Sequence, residues 1–254
     1  MGIIGPMRIF LAGDGYGPEI KDHLNNAPEN VYILKSYHYI LKQKWIIPLM
    51  NQFKGFLLDS GAFTFMTSQK NTGINWERYV IDYGNFVKKF NINHFFELDI
   101  DSIVGLKEVE RLRDLLEKTA ERKCIPVWHK SRGLEYWKKM CQEYDYVAIG
   151  GIVAREIKRV QYDIFYSLLK IAKENNTKVH GLGFTDLKGM EKYRFYSVDS
   201  TSWLSGGRYG QLYTFNGKRL YFQRSKERRI DGRKATVHCF NEWVKFSKYA
   251  ENYL

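Results

Sequence analysis

Short runs of apolar residues recur along the chain, and longer amphipathic stretches lie between them. Eight runs stand out because they are rich in β-branched and aromatic side chains. They occupy residues 8–12, 31–34, 55–58, 94–98, 125–128, 146–149, 178–181 and 195–198. Near-continuous apolar strands are typical of a parallel sheet that is covered on both faces. The pattern therefore predicts eight parallel strands.

Amphipathic helices are predicted between these strands. From Tyr79 to Phe90, apolar side chains recur at spacings typical of one helix face, which predicts a helix over 76–90. Similar patterns predict helices over 104–123, 136–143 and 160–175. Strands that alternate with helices form βαβ units, and eight such units predict an α/β fold of the TIM (β/α)8 barrel type. Such a barrel needs about 250 residues, so the chain is expected to form a single TIM-barrel domain over 1–254.

The last fifth of the chain departs from this alternation. Residues 211–215 and 218–222 flank Asn216-Gly217, and this arrangement predicts a β-hairpin with a two-residue turn. A basic stretch follows, and a final helix is predicted over 238–253. We interpret 203–254 as a basic C-terminal elaboration of the barrel.

The net charge of +12 is concentrated in this C-terminal elaboration, which holds 11 Lys and Arg against 4 Asp and Glu. Cationic side chains that replace counterions on phosphates gain binding free energy, so the charge favours a nucleic acid partner. A solvated basic face is the alternative interpretation. An aromatic content of 16% also suits stacking against bases. The residues expected to bind nucleic acid are Arg208, Lys218, Arg219, Arg224, Arg228, Arg229, Arg233 and Lys234.

Other features of the composition limit the compartment. The cysteines Cys124, Cys141 and Cys239 form neither a disulfide framework nor a zinc-binding spacing. A reducing, cytoplasmic compartment is therefore expected. The sequence has no apolar run long enough for a membrane span and no signal peptide, so no membrane partner is expected. The six residues before Met7 are interpreted as an expression remnant.

Polar residues and glycines follow most of the predicted strands. In a TIM barrel the active site lies at the carboxyl ends of the strands, so these residues are candidates for a shared site. They are Asp59-Ser60-Gly61, Asp99, Asp101, Trp128-His129, Gly150-Gly151, His180-Gly181 and Asp199. Each has a structural alternative, because an aspartate after a strand often caps a helix and glycines often form turns. Four aspartates at the ends of three strands favour a functional site.

Paired carboxylates suit chemistry at a sugar C1′. One carboxylate attacks the carbon while another group manages the proton of the leaving group. A metal-dependent hydrolase that uses His129, His180 and the aspartates is one alternative, although such sites usually draw on more histidines. A barrel that binds nucleic acid without chemistry is the other alternative.

Five motifs, in order along the chain, resemble those of the tRNA-guanine transglycosylases. Residues 58–63 resemble the Asp-Ser-Gly-Gly-aromatic signature of that family, and Leu98-Asp99 resembles its Leu-Asp-Glu motif. Residues 148–152 resemble its Ile-Gly-Gly-Leu segment and 180–183 its Met-Gly-Val-Gly segment. Val198-Asp199-Ser200 stands where the family has Phe-Asp-Cys, which carries the nucleophile.

The resemblance implies roles for these residues. Asp199 would be the nucleophile that expels guanine, and Asp59 would transfer the proton to and from the exchanged base. Phe63 would stack on the base, Asp99 would accept hydrogen bonds from its edge, and Gly181 would leave room for it. The strand ends and the resemblance together give a substrate-binding set of Phe63, Ser60, Gly61, Asp99, Asp101, Trp128, His129, Gly150, Gly151, Ile152, His180 and Gly181.

Departures from the family pattern indicate a particular branch. The tRNA enzymes hold zinc near the C-terminus with three cysteines and a histidine, whereas this chain has only His238 and Cys239 there. We therefore expect no metal and no cofactor. A compact chain with Trp128-His129 and the sequence 197–203 around Asp199 is more similar to the phage and bacterial DNA-modifying branch. The resemblance implies exchange of guanine in DNA for a free 7-deazaguanine base such as 7-cyano-7-deazaguanine, with tRNA as the alternative substrate.

Overall fold

Seven parallel strands form one curled sheet in the computed structural model, which describes residues 6–14, 16–61, 73–224 and 231–254. Their order across the sheet is β3-β2-β1-β7-β6-β5-β4. The strands are β1 (Arg8–Ala12), β2 (Tyr32–Ser36), β3 (Gly55–Asp59), β4 (Val127–Trp128), β5 (Tyr146–Ile149), β6 (Lys178–Gly181) and β7 (Ser197–Ser200). Because helices connect the strands and cover the sheet, the architecture is an α/β fold of the TIM type.

The run at 94–98, predicted as the fourth of eight strands, is not a regular strand. It makes two isolated parallel bridges, from Phe95 to Leu58 in β3 and from Phe96 to Ile125 just before β4. The ladder stops at Glu97, whose buried side-chain carboxylate accepts a hydrogen bond from the Val127 amide at 2.7 Å. That amide is the donor that the next rung of a parallel ladder would use. The prediction of a full strand here was wrong, although the bridges connect the two edges of the sheet.

Helices lie in the segments that join the strands. They are α1 (Pro18–Asn26), α2 (Tyr37–Ile40), α3 (Trp76–Lys89), α4 (Asp101–Val104), α5 (Leu106–Ala120), α6 (Gly133–Glu143), α7 (Ile164–Glu174), α8 (Leu187–Lys192), α9 (Ser205–Tyr209) and α10 (Gly232–Tyr253). The single helix predicted over 104–123 is divided, because Gly105 has a φ of 81° that an α-helix cannot contain. No helix in the described ranges is long and apolar enough to cross a membrane.

Alternating residues of each strand face two separate cores. The inner core fills the space that the curled sheet encloses, and it includes Phe10, Leu57 and Val127. The outer core lies between the sheet and the helices, and it includes Leu58 and Val198. Since successive side chains of a strand point to opposite faces, Asp59 and Asp199 must face inward at the strand ends. This parity places their carboxylates at the mouth of the enclosed space.

The C-terminal part forms an antiparallel pair, β8 (Gln211–Phe215) and β9 (Leu220–Arg224), with Phe215 opposite Leu220. The second strand begins later than the sequence predicted. Asn216 Oδ1 accepts hydrogen bonds from the amides of Lys218 and Arg219, and this lengthens the turn. The final helix α10 packs on the sheet, where the hydroxyl of Ser247 donates to the Ile9 carbonyl at 3.2 Å.

Candidate active site at the carboxyl ends of the strands

Three aspartates predicted from the sequence share the mouth of the enclosed space. Burial raises the pKa of Asp59 to about 7, against the opposing effect of a hydrogen bond from the Gly61 amide, and the negative charges of Asp99 and Asp199 raise it further. An electrostatic effect of this kind requires the three carboxylates to lie close together. Asp59 therefore titrates near neutral pH, the range in which a group can both give and accept a proton.

One oxygen of Asp199 has two nitrogen atoms within hydrogen-bond distance, and the residue is 8% exposed. Oδ1 accepts a hydrogen bond from the Gly183 amide at 2.6 Å and lies 3.2 Å from His180 Nε2. Gly183 reaches this position with a φ of 66°, which favours glycine. Within the described part of the chain, Oδ2 has no hydrogen bond. The carboxylate is thus fixed through one oxygen, while the second is available for chemistry.

His180 lies beneath Asp199. The sequence had suggested that it lines the surface of the site, but it does not. The imidazole is fully buried, and the rings of Phe10 and Phe96 pack against it. Its Nδ1 lies 2.6 Å from the hydroxyl of Ser197. A substrate can therefore be influenced by His180 only through Asp199.

A second cluster at the mouth contains His129 between two carboxylates. Its Nε2 lies 2.6 Å from Asp99 Oδ1, and its Nδ1 lies 2.8 Å from Glu156 Oε2. Burial alone would lower the pKa of His129, but the hydrogen bonds and charges of Asp99 and Glu156 outweigh it and raise the pKa to about 9. The imidazole is therefore charged at neutral pH. This charge fixes Asp99 and partly neutralises the two acids.

Glu156 was missed by the sequence interpretation. It lies in the loop after β5, seven residues along the sequence from the end of that strand at Ile149, and no motif marks it. The loop turns back because the Gly151 carbonyl accepts a hydrogen bond from the Glu156 amide at 2.9 Å. The only sequence signal was an acidic residue shortly after a pair of glycines, and such a pattern is too common to be informative.

The two glycines after β5 make room for this cluster. A Cβ on Gly150 would lie 2.9 Å from the His129 ring, and a Cβ on Gly151 would lie 2.5 Å from a carboxylate oxygen of Glu156. Gly151 also has a φ of 75°. Ile152, expected in the substrate-binding set, has a buried side chain in the outer core. Gly150 and Gly151 therefore leave space for the His129 ring and for Glu156. No contact with a base is needed to explain either glycine.

Three residues that the sequence placed in the site do not face the mouth. Trp128 lies in the outer core against Trp137. Asp101, at the start of α4, is held by two hydrogen bonds of 2.7 Å from Arg132. A side chain at Gly181 would meet Phe184, which also belongs to the outer core, so this glycine serves packing and not a base. Trp128 and Gly181 fail for the same reason, because each is one position away from the residue that faces inward.

The segment after β3 shapes the approach to Asp59. Ser60 is fully buried, and its carbonyl accepts a hydrogen bond from the hydroxyl of Tyr79 at 2.6 Å. The Gly61 amide donates to Asp59 Oδ2 at 3.0 Å, and the φ of Gly61 is 83°. The predicted stacking residue Phe63 lies outside the described residues.

The described basic residues lie on α9, on the β8–β9 pair and its turn, and at the start of α10. Arg228 and Arg229 lie outside the described residues. Two of the cations have acidic partners, since Arg219 lies 3.3 Å from Glu191 and Arg233 lies 3.0 Å from Glu19. The remaining described members are exposed, namely Arg208, Lys218, Arg224 and Lys234.

A groove of about 840 Å³ runs between β9 and α8. Tyr221 and Phe222 of β9 line it and are 51% and 58% exposed. Arg159 and Lys188 line its opposite side. Aromatic faces next to cations are typical of surfaces that bind single-stranded nucleic acids.

In the described residues, no three His, Cys, Asp or Glu side chains are grouped as metal ligands. The sequence alone identifies no relative, since no family model and no curated protein matches it.

Solved structures do resemble the fold. A mutant tryptophan synthase alpha-subunit from the hyperthermophile Pyrococcus furiosus is 13% identical, with a TM-score of 0.52 over 98% of this chain and 99% of that one. The carboxyl transferase domain of Rhizobium etli pyruvate carboxylase, solved with pyruvate, is also 13% identical, with a TM-score of 0.50 over 98% of this chain. This chain spans only 49% of that one, about half its length. At such identities the likeness shows the TIM-like α/β fold alone, and the transglycosylase resemblance stays a prediction.

Proposed function

We propose that this chain is a base-exchange transglycosylase that replaces guanine in DNA with a free 7-deazaguanine, through a covalent intermediate on Asp199. The observation that carries the proposal is the grouping of Asp59, Asp99 and Asp199 at one mouth, with Asp59 poised to titrate near pH 7. The order of the motifs along the sequence supports the same conclusion.

In the first half of the reaction, Asp199 attacks C1′ of the target nucleotide. Oδ2 supplies the electron pair, since Oδ1 is already engaged by the Gly183 amide. The bond from C1′ to N9 of guanine breaks, and its electrons move to the base. Protonated Asp59 gives its proton to the departing guanine, which leaves a carboxylate at Asp59 and a glycosyl ester at Asp199.

The second half of the reaction reverses these steps with a different base. The incoming 7-deazaguanine gives its N9 proton to the Asp59 carboxylate, and N9 then attacks C1′. The ester bond breaks, and Asp199 returns as a carboxylate. Because Asp59 must release a proton in one half and accept one in the other, a pKa of about 7 suits both halves at neutral pH.

Recognition of the base is assigned to Asp99. Its Oδ1 lies 2.6 Å from His129 Nε2, and this contact fixes the direction of the carboxylate. Guanine and 7-deazaguanines both present an N–H and an amino group along one edge, and an ionised carboxylate accepts from both. Adenine offers no such pair of donors, so this arrangement favours guanine-type bases.

Binding of the nucleic acid is assigned to the basic C-terminal elaboration. Exposed cations contact phosphates and position the strand, whereas they do not specify its sequence. Turning a nucleotide out of the stack into the mouth exposes its neighbours, and the rings of Tyr221 and Phe222 are placed to stack on unpaired bases.

Incorporation of radiolabelled guanine or 7-cyano-7-deazaguanine by the purified protein tests the proposal, with DNA and tRNA in separate reactions. We expect label in DNA. Label in tRNA alone would assign the chain to tRNA modification, and label in neither would refute base exchange. Asp199→Asn is the matched variant, because it keeps the shape and the hydrogen-bond acceptor while removing the nucleophile. It should abolish incorporation and leave nucleic acid affinity nearly unchanged.

A further inference from the structure

A line of polar side chains runs through the inner core beneath Asp199. The hydroxyl of Tyr146 lies 2.5 Å from that of Ser197, which in turn lies 2.6 Å from His180 Nδ1. His180 Nε2 lies 3.2 Å from Asp199 Oδ1. Ser197 and His180 are fully buried among apolar residues of the inner core. Buried polar groups of this kind are retained only when each has a partner, and here each has one.

The protons along this line can be assigned from the chemistry of its ends. Asp199 Oδ1 is an acceptor, so His180 Nε2 must carry a proton. Nδ1 of a neutral imidazole is then an acceptor, and the Ser197 hydroxyl must donate to it. The oxygen of Ser197 accepts in turn from Tyr146, whose hydroxyl keeps its proton because burial raises its pKa. All donors therefore point toward Asp199.

We propose that Tyr146, Ser197 and His180 are positioning residues that hold the nucleophilic carboxylate of Asp199 in one orientation. The inference rests on the proposed function for the role of Asp199. A single donor, the Gly183 amide, leaves a carboxylate free to rotate about its bond to Cβ. A second donor, His180 on the neighbouring strand β6, restricts that rotation and keeps Oδ2 directed at the mouth. The opposite tautomer of His180 would place a lone pair against Oδ1 and push the carboxylate away.

The line of side chains does not contact the substrate. His180 is separated from the mouth by Asp199, and Tyr146 lies near the amino end of β5, at the far side of the inner core. Removing one member should therefore lower kcat without changing KM for nucleic acid. A hydrogen bond that acts on a charged group corresponds to about a 10- to 100-fold change in rate.

Nuclear magnetic resonance of the imidazole nitrogens tests the assignment without any reliance on activity. In the wild-type protein at neutral pH, we expect the His180 ring to carry one proton, on Nε2, and His180→Gln identifies the signals by their loss. A proton on Nδ1, or on both nitrogens, would overturn the proposal.

Kinetics of base exchange test the consequence for Asp199. Tyr146→Phe should lower kcat by about 10-fold at unchanged KM. Tyr196→Phe is the matched control, because its ring packs 5.4 Å from that of Tyr146 while its hydroxyl lies outside the line of side chains. His180→Gln, whose amide nitrogen can still donate, should retain more activity than His180→Leu.

Equal kcat values for the two phenylalanine variants, or for the two His180 variants, would contradict the positioning role. If the wild-type protein exchanges no base, the proposed function fails. The resonance measurement alone then decides whether His180 donates to Asp199.

Discussion

Replacing His129 by Gln should remove a pH-dependent part of the stability of this protein. The imidazole lies between Asp99 and Glu156, at 2.6 Å and 2.8 Å, and these acids raise its pKa from 6.5 to about 9 despite burial. In the unfolded chain the imidazole returns to its ordinary pKa. The folded state therefore binds a proton more tightly, and protonation stabilises it.

The size and sign of the effect follow from this difference. One pKa unit corresponds to about 1.4 kcal/mol, so the shift is equivalent to about 3 kcal/mol. Asp99 and Glu156 are 32% and 30% exposed, and screening by solvent reduces the expected value to about 2 kcal/mol. Since the folded pKa is raised, this stability is fully present below pH 6.5 and is lost as the pH rises through about 9.

Urea unfolding of the wild type and His129→Gln, in steps from pH 6 to pH 10 at constant low ionic strength, measures the loss. The difference between the two free energies of unfolding should shrink by about 2 kcal/mol across this window. Burial and the Gly61 hydrogen bond, the two largest influences on the pKa of Asp59, do not involve His129, so the contribution of Asp59 should largely cancel.

His23→Gln is the control, because burial and Lys248 lower the pKa of His23, so its difference from the wild type should stay constant above pH 6.5. A constant difference for His129→Gln as well would refute the assignment of a charged imidazole between two acids.

Two further predictions concern the room around His129 and the groove beside β9. Gly150→Ala should destabilise the fold by about 1–3 kcal/mol, because the added methyl group overpacks a site where it would lie 2.9 Å from the His129 ring; an unchanged urea midpoint would contradict this. Phe222→Ser should weaken binding of single-stranded DNA by about 1–3 kcal/mol at an unchanged salt slope, whereas Arg224→Gln should reduce that slope by about 1. Fluorescence anisotropy at several salt concentrations separates the two effects, and identical slopes for both variants would count against a phosphate contact at Arg224.

The apolar pattern was informative wherever a strand is buried on both faces. The runs at 8–12, 146–149 and 178–181 coincide with β1, β5 and β6, because most residues in such a strand are buried on one face or the other and the run is rich in apolar side chains. The run at 94–98 has the same pattern but ends its pairing at Glu97. The reason is a side-chain hydrogen bond to the Val127 amide, and no periodicity in the sequence reports that bond.

The sequence was enough to predict where the site lies, but not which of its side chains point into the mouth. The carboxyl ends of the strands converge at one edge of a parallel sheet. The sequence was therefore enough to predict that Asp59, Asp99 and Asp199 lie close together. It could not decide between Trp128 and His129, because both faces of β4 are apolar and nothing local distinguishes the inner from the outer core. The position of Glu156 depends on the path of the loop after β5, and the path of a loop leaves no periodic pattern in the sequence.

The protonation states at the mouth follow from the different partners of its acids. Asp99 shares the positive charge of His129 with Glu156, whereas Asp199 accepts a hydrogen bond from the Gly183 amide and lies beside His180. Among the described residues Asp59 accepts hydrogen bonds from backbone amides and has no cationic partner, and burial raises its pKa to about 7. If every acid at the mouth had a cationic partner, none would exchange a proton at neutral pH. The placement of the imidazolium beside Asp99, away from Asp59, is therefore what leaves one carboxyl group able to act as both acid and base.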